Sequence, residues 1–285
     1  MKPLRLLGAA CACAIPLALT TPATAAALYS NGFETDLSGW DALGGTWDAT
    51  RVASGTNGIT SASGSYHAEA GKVNIPANEY GTAGNWGGYN FGNAGPVAFQ
   101  EYTTSLDIYL DVDGGVAHDS RVDYSSAINN VSGTHLRDFI FNTGFYDSSD
   151  TDGPGAGTDR FIISASNNAD PGIDIPKNPA RDPIAIDTSG WYTFEHHFYD
   201  NAGALNVDLS ILAFGGALIH SWTLGNPADL TASVVGGNRY GWFSNNTFDT
   251  LAFDNASLET VPVPATFALF GLGLAGLAWS RRKPA

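Results

Sequence analysis

Apolar and polar residues alternate with a two-residue period through much of the chain between residues 28 and 259. In LDIYLDVD (106–113), apolar side chains occupy every second position, with Asp or Tyr between them. This period places successive side chains on opposite faces of a β-strand, so one face of each segment is predicted to be buried. The predicted buried faces are Leu106, Ile108, Leu110 and Val112; Tyr192, Phe194, His196 and Phe198; and Val207, Leu209 and Ile211.

Other short segments of this kind are separated by clusters of Gly, Asn and Asp, which are turn residues. No segment in this region shows the 3.6-residue period of a helix. About a dozen antiparallel strands over this length predict an all-β domain, a single two-sheet β-sandwich over residues 27–259. The additional strands are predicted near residues 46–53, 65–70, 119–129, 136–146, 159–166, 217–224, 239–244 and 250–258.

The first 26 residues have the order of features found in a secretory signal peptide. Lys2 and Arg5 precede an apolar run over 6–19, and small residues follow up to Ala27. This order predicts export and removal of residues 1–26, and the alternative is a buried N-terminal helix. Both cysteines lie in this segment, so the mature chain is expected to have no disulfide and no thiolate site.

The last residues, VPVPATFALFGLGLAGLAWSRRKPA (261–285), have three parts. In order they are Pro262 and Pro264, an apolar span over 266–279, and the basic residues Arg281, Arg282 and Lys283. The span is shorter than the ~20 residues that cross a bilayer core, and the cations after it hold the tail in the cytoplasm. Its G-x-G-x-x-G string lacks the preceding strand and the later acidic residue of a dinucleotide site. The segment predicts a transmembrane helix that is an anchor or a protease substrate.

This three-part terminus resembles the PEP-CTERM sorting signal of exported proteins in Gram-negative bacteria, with Val263 where the family has Glu. The resemblance implies that residues 260–285 are recognised by an exosortase, a membrane cysteine protease. It also implies an inner-membrane intermediate, delivery to the cell surface or extracellular matrix, and a link to biofilm and exopolysaccharide. A plain membrane anchor is the alternative.

The charge of the chain limits the classes of molecule that it is expected to bind. There are 13 Lys and Arg against 28 Asp and Glu, and five of the basic residues lie in the two end segments. The central domain therefore carries 8 basic and 28 acidic residues, a formal charge of −20. Such a surface excludes nucleic acid and anionic membranes as partners. Of the acids, 22 are Asp, which favours turns and calcium sites.

Two stretches at the ends of the central domain resemble jelly-roll β-sandwiches of the carbohydrate-binding-module and laminin-G-like (concanavalin A-like) kind. They are NGFETDLSGWD (31–41) and LAFDNASLE (251–259). The resemblance implies a jelly roll whose first and last strands pair and share a structural calcium ion. Glu34 and Asp254 would bind this ion, with backbone oxygens near Asn31.

The alternation of side chains gives an independent reason to examine Asp254. It falls on the same predicted face as Ala252, Ala256 and Leu258. If that face is buried, the carboxylate needs a counter-charge or a metal ion. The alternative is a partly exposed Asp254 that accepts a hydrogen bond from a turn amide.

Two loops contain further candidate ligand residues. Counting from Ser148 in DSSDTDGPGAGTD (147–159) places Asp150, Asp152 and Asp159 at positions 3, 5 and 12 of a calcium loop. The alternative is a solvated, flexible loop without a metal.

The second loop, over residues 78–95, contains Trp86 and Tyr89 among Gly and Asn. These two rings are candidates for stacking on sugar rings. The alternative is that they cover the edge of a sheet.

The chain lacks strings typical of several enzyme classes, such as G-x-S-x-G or E-x-D-x-x-E. His196 and His197 are adjacent in a predicted strand, point to opposite faces and do not share a metal. We therefore expect an exported, non-catalytic β-sandwich of the cell surface or exopolysaccharide that binds carbohydrate. The alternatives are a structural matrix protein without a small ligand and a two-carboxylate polysaccharide hydrolase.

Overall fold

The computed structural model describes residues 26–40, 49–71, 87–89, 99–167, 182–236, 240–244 and 246–261. These residues belong to one compact unit, Ala25–Val261. The strands are β1 Ala26–Asn31, β2 Ala49–Ala53, β3 Tyr66–Gly71, β4 Gly87–Tyr89, β5 Tyr102–Leu110, β6 Arg121–Asn130, β7 His135–Tyr146, β8 Arg160–Ser166, β9 Ile184–Ile186, β10 Gly190–Asn201, β11 Ala204–Ala213, β12 Leu218–Leu230, β13 Val234–Gly236, β14 Gly241–Ser244 and β15 Thr250–Thr260.

The strands form two antiparallel sheets, which confirms the predicted all-β sandwich. The larger sheet has eight strands in the order β12-β11-β10-β5-β15-β3-β2, with β1 also paired to β15. The smaller sheet has seven strands in the order β4-β14-β6-β7-β8-β9, with β13 paired to β6. In the described ranges the only helical element is a 3-10 turn at Thr56–Gly58.

The buried faces predicted from alternation are confirmed on β5, β10 and β11. Their apolar side chains pack against aromatic rings of the smaller sheet to form one core. For example, the rings of Phe141 and Phe194 have centroids 5.2 Å apart, and those of Phe243 and Phe253 lie 5.3 Å apart. These inter-sheet contacts hold the two layers together.

His196 lies in this core as expected and joins the two sheets. Its Nε2 donates to the carbonyl oxygen of Phe139 at 3.1 Å, and its ring packs 4.8 Å from that of Phe141. Burial lowers the pKa of His196 to about 3, so the imidazole is neutral at physiological pH. The neighbouring His197 faces the other way, with its Nε2 2.9 Å from Oε1 of Glu101.

The predicted pairing of the first and last strands is also confirmed. Ala26 pairs with Thr260 and Asn31 pairs with Ala256, so β1 lies against β15. Four short or terminal strands, namely β1, β4, β9 and β13, have no counterpart in the alternation pattern. No helix within the described ranges is long and apolar enough to cross a membrane. The predicted signal peptide and C-terminal span lie outside those ranges.

Candidate functional site

A β-bulge in β15 determines where Asp254 points. Leu251 and Phe253 face the core before the bulge, and Ala256 and Leu258 face it afterwards. The register shifts between Asp254 and Ser257, where Asn255 has a positive φ of 50°. Because the extra residue changes which positions face the core, Asp254 does not share a face with Ala256 and Leu258, and that prediction was wrong.

Asp254 is nevertheless fully buried, on the outer side of the larger sheet. Its Oδ2 accepts a hydrogen bond from the Ser63 amide at 3.1 Å, and its Oδ1 accepts one from the Asn255 amide at 2.8 Å. Burial raises the pKa of Asp254 to about 6, and the charges of Asp107 and Glu34 add to this increase.

Glu34 binds the same turn as Asp254 from the other side. Its Oε1 accepts hydrogen bonds from the amides of Ser65 at 2.9 Å and Tyr66 at 3.1 Å. Gly64 is required between them, because a Cβ at that position would collide with Oε1 of Glu34. The two carboxylates named by the family resemblance are therefore brought to one turn, over residues 63–65.

A chain of hydrogen bonds connects this turn to the middle of the larger sheet. Asn255 accepts from Ser63 Oγ at 2.7 Å and donates from Nδ2 to Asp107 at 2.9 Å. Asp107 also accepts from Thr193 Oγ1 at 2.5 Å. The nearby cation Arg51 binds the backbone carbonyl oxygens of residues 33 and 34, not these carboxylates.

The amide hydrogen bonds of Asp254 fit the alternative made from the sequence, whereas its full burial does not. Calcium takes six to eight oxygen ligands, and both oxygens of Asp254 already accept amide hydrogens. Within the described ranges, no group of three or more His, Cys, Asp or Glu is arranged to hold a metal ion. Calcium at Glu34 and Asp254 stays a prediction, and it would require further oxygens from the backbone or from Asn255.

The loop 147–159 is built around a buried cation. The guanidinium of Arg160, which is 0% exposed, donates to the carbonyl oxygens of Pro154, Thr158 and Asp152 at 2.7 Å each. Its Nη2 also lies 3.9 Å from Oδ1 of Asp150. The Oδ1 atom of Asp159 is not bound to this guanidinium. It accepts a hydrogen bond from the Ser148 amide at 2.7 Å.

Arg160 thus binds backbone carbonyl oxygens of the loop and places a positive charge beside the carboxylate of Asp150. A guanidinium has several donors in a planar fork and satisfies several carbonyl groups at once. Most residues of the loop are exposed, as the solvated-loop alternative expects, but Arg160 holds its backbone in a defined fold. Calcium at Asp150, Asp152 and Asp159 stays a prediction. The sequence signal that points to this structure is a single Arg directly after the acidic loop.

The remaining predicted residues fall largely outside the described ranges. Tyr89 lies in β4, where it pairs with Gly241 of β14, so its segment does join a sheet edge. Trp86 and the sorting residues Pro262, Pro264, Arg281, Arg282 and Lys283 are not described. Sugar stacking by Trp86 and Tyr89 stays a prediction.

The outer face of the larger sheet contains a polar surface that alternation did not single out. Strand pairing aligns its side chains in two rows that cross five strands, from β12 through β11, β10 and β5 to β15. We call these rows together the polar platform. The first row is Ser221, Ser210, Glu195, Ser105 and Ser257, and the second is Thr223, Asp208, His197, Thr103 and Glu259.

The first row of the polar platform has a carboxylate at its centre and small residues beside it. The hydroxyls of Ser210 and Ser221 lie 2.9 Å apart, and those of Ser105 and Ser257 lie 2.8 Å apart. Glu195 is half-buried between these pairs, and burial raises its pKa, an effect increased by Glu259 and reduced by His197. The signal in the sequence was the polar half of the β10 alternation, opposite Phe194.

Comparison with known proteins identifies the C-terminal segment. Residues 260–283 match the PEP-CTERM protein-sorting motif, which confirms that resemblance with Val263 included. This motif is the signal recognised by exosortases, and it marks the chain as an exported protein sorted to the cell envelope or surface. No curated protein matches the chain.

Solved structures give a weaker comparison. The CBM2 module of the evolved Dit of Lactobacillus casei BL23 phage J-1 is similar, with a TM-score of 0.35 and 9% sequence identity. The similarity covers 84% of this chain and 97% of that chain. A TM-score of this size carries no argument about what the chain binds.

Proposed function

We propose that this chain is a non-catalytic, carbohydrate-binding β-sandwich that is held at the cell surface or in extracellular polysaccharide. The sorting motif over residues 260–283 supports export and handling by an exosortase. The Gram-negative cell, the inner-membrane intermediate and the role in biofilm belong to this proposal.

The observation that carries the binding proposal is the polar platform. Five adjacent strands present hydroxyl, carboxylate and imidazole groups toward the outside instead of the apolar side chains that a second layer would need. Hydroxyls and carboxylates spaced across a sheet suit the many hydroxyls of a sugar chain. At one end of this face, Tyr109 and Trp191 are paired, with ring centroids 5.4 Å apart.

The proposal is tested by affinity electrophoresis of the full-length protein through gels that contain soluble polysaccharides. We expect retardation by at least one polysaccharide, and loss of that retardation when Ser105→Arg fills the first row. Ser233→Arg, in the exposed turn after β12, is the matched control because it adds the same charge elsewhere. Equal migration of all three proteins in every gel would contradict carbohydrate binding.

A structural matrix protein without a small ligand is a second candidate, and one observation favours it. The turn before β12 and the start of this edge strand expose Phe214, Leu218 and Ile219, at 57%, 63% and 42% of their surface. An exposed apolar strand edge is a surface for pairing with another chain. Concentration-dependent assembly of the purified protein, lost in Ile219→Lys, with no affinity for any polysaccharide would favour this candidate.

A further inference from the structure

The polar platform has an unbalanced charge. Its acids are Glu195, Asp208 and Glu259, whereas β5, β10, β11, β12 and β15 contain neither Lys nor Arg. The one basic group in the two rows is His197, whose Nε2 already lies 2.9 Å from Glu101. The surface therefore favours a cationic ligand over an anionic one.

The central carboxylate of the platform, Glu195, is influenced by one basic group, His197, which offsets part of the rise in its pKa. No hydrogen bond or ion pair to the side chain of Glu195 or Glu259 is present among the described residues. Asp208, by contrast, accepts hydrogen bonds from two neutral donors, Thr223 at 2.6 Å and Tyr199 at 3.4 Å. A half-buried carboxylate without a hydrogen-bond donor, such as Glu195, loses hydration that His197 offsets only in part, and a bound cation would stabilise its charged form.

The spacing of these acids suits a polymer with several charges better than it suits a single metal ion. Neighbouring strands lie about 4.8 Å apart, and two strand steps separate Glu195 on β10 from Glu259 on β15. No group of metal-binding side chains is found in the described ranges. The acids are therefore distributed for a ligand that carries several positive charges along its length.

The row of serines indicates the direction in which such a ligand would lie across the sheet. Ser221, Ser210, Ser105 and Ser257 are small and lie on both sides of Glu195. Larger side chains stand in the next row, including His197 and Glu259. A strip of small hydroxyl side chains therefore runs across the strands, with the Glu195 carboxylate at its centre.

We propose that this strip of the polar platform binds a polysaccharide with protonated amino groups, that is, an amino-sugar polymer that is at least partly deacetylated. Glu195 and Glu259 pair with ammonium groups of the ligand, and the serine hydroxyls contact its ring hydroxyls. This inference rests on the proposed carbohydrate-binding function and adds the chemical class of the ligand.

The test uses the full-length protein and two oligosaccharides of the same backbone, glucosamine oligomers and their fully N-acetylated forms. Isothermal titration at a pH where the amines are protonated should give at least tenfold tighter binding of the glucosamine oligomers. Because the added contacts are ionic, this preference should shrink as salt is raised. A uronic-acid polymer should not bind.

Variants locate the effect on the platform. Glu195→Gln and Glu259→Gln remove a charge with little change of shape, and each should lower affinity for the glucosamine oligomers about tenfold without lowering the melting temperature. Asp187→Asn is the matched control, because this exposed acid follows β9 in the smaller sheet. Its affinity should equal that of the unmodified protein.

Two results overturn the inference in different ways. Equal affinity for the amine and acetylated oligomers, unchanged in Glu195→Gln, would refute an amine ligand and leave carbohydrate binding in place. Absence of binding to all three ligands and to neutral glucans would refute the proposed function as well.

Discussion

The turn over residues 63–65, which is bound by Glu34 and Asp254, and the loop over residues 147–159 are both places where calcium is predicted, and they differ in which groups bind their backbone. In the loop, the guanidinium of Arg160 binds inward-pointing carbonyl oxygens. In the turn, the carboxylates of Glu34 and Asp254 accept backbone amides. The backbone is therefore held in opposite ways: a buried cation binds carbonyl oxygens in the loop, and carboxylates bind amide groups in the turn.

Removing the cation should have the largest effect. Arg160→Met leaves three carbonyl groups without their donor and the buried Asp150 without its nearby cation, and we expect the free energy of unfolding to fall by about 3–5 kcal/mol. Urea unfolding measures this loss. Arg160→Lys should recover only part of it, because an ammonium group does not reproduce the planar fork. Equal stability of Arg160→Met and the unmodified protein would show that the loop does not depend on this residue.

A bound calcium ion would add a second difference between the turn over residues 63–65 and the loop over residues 147–159. The prediction for Glu34 and Asp254 is that a chelator lowers the melting temperature, since a ligand at about 100 times its Kd adds about 2.7 kcal/mol to the native state. Asp254→Asn should abolish the shift, and Asp150→Asn should retain it. Metal-free protein by elemental analysis, with no shift on chelation, would remove calcium from both regions.

The next largest effect on stability is expected from the close contact between Gly64 and Glu34. Gly64→Ala combines a positive φ of 60° with a Cβ that would collide with the Glu34 carboxylate. Gly58→Ala is a matched control, because Gly58 also has a positive φ, 80°, but a Cβ added there would meet no heavy atom within 4 Å. We expect Gly64→Ala to cost on the order of 2 kcal/mol more than the control in thermal unfolding. Similar losses would mean that Glu34 moves freely.

The smallest effect on stability is expected from the raised pKa of Asp254. It is measured in the presence of a chelator. Its folded pKa of about 6 lies above the ordinary aspartate value of 3.8, so the folded state binds the proton more readily. The contribution to stability is therefore present at low pH and is lost as pH rises through 6. From pH 7 to pH 5 this group should add on the order of 1 kcal/mol to the free energy of unfolding. Asp254→Asn should lack this increment, and an identical pH profile would contradict the shift.

The sequence predicted the strands well because burial of one face leaves a direct two-residue signal. It failed at Asp254, since a bulge at Asn255 reverses which positions face the core and has no signature in the alternation itself. The role of Arg160 has no counterpart in the sequence analysis, because the contact between a strand residue and its preceding loop depends on how that loop folds back. The polar platform could not be predicted because alternation shows which side chains of a strand are polar but not which strands lie side by side.

The position of β15 has a mechanical consequence. This strand lies inside the larger sheet, bonded to β5 on one side and to β1 and β3 on the other, and the sorting motif begins at its last residue. A pull on the chain beyond residue 261 acts along the strand, so its ladder hydrogen bonds are loaded together in shear and do not open one at a time. A domain tethered by that end is therefore suited to bear drag from flowing medium.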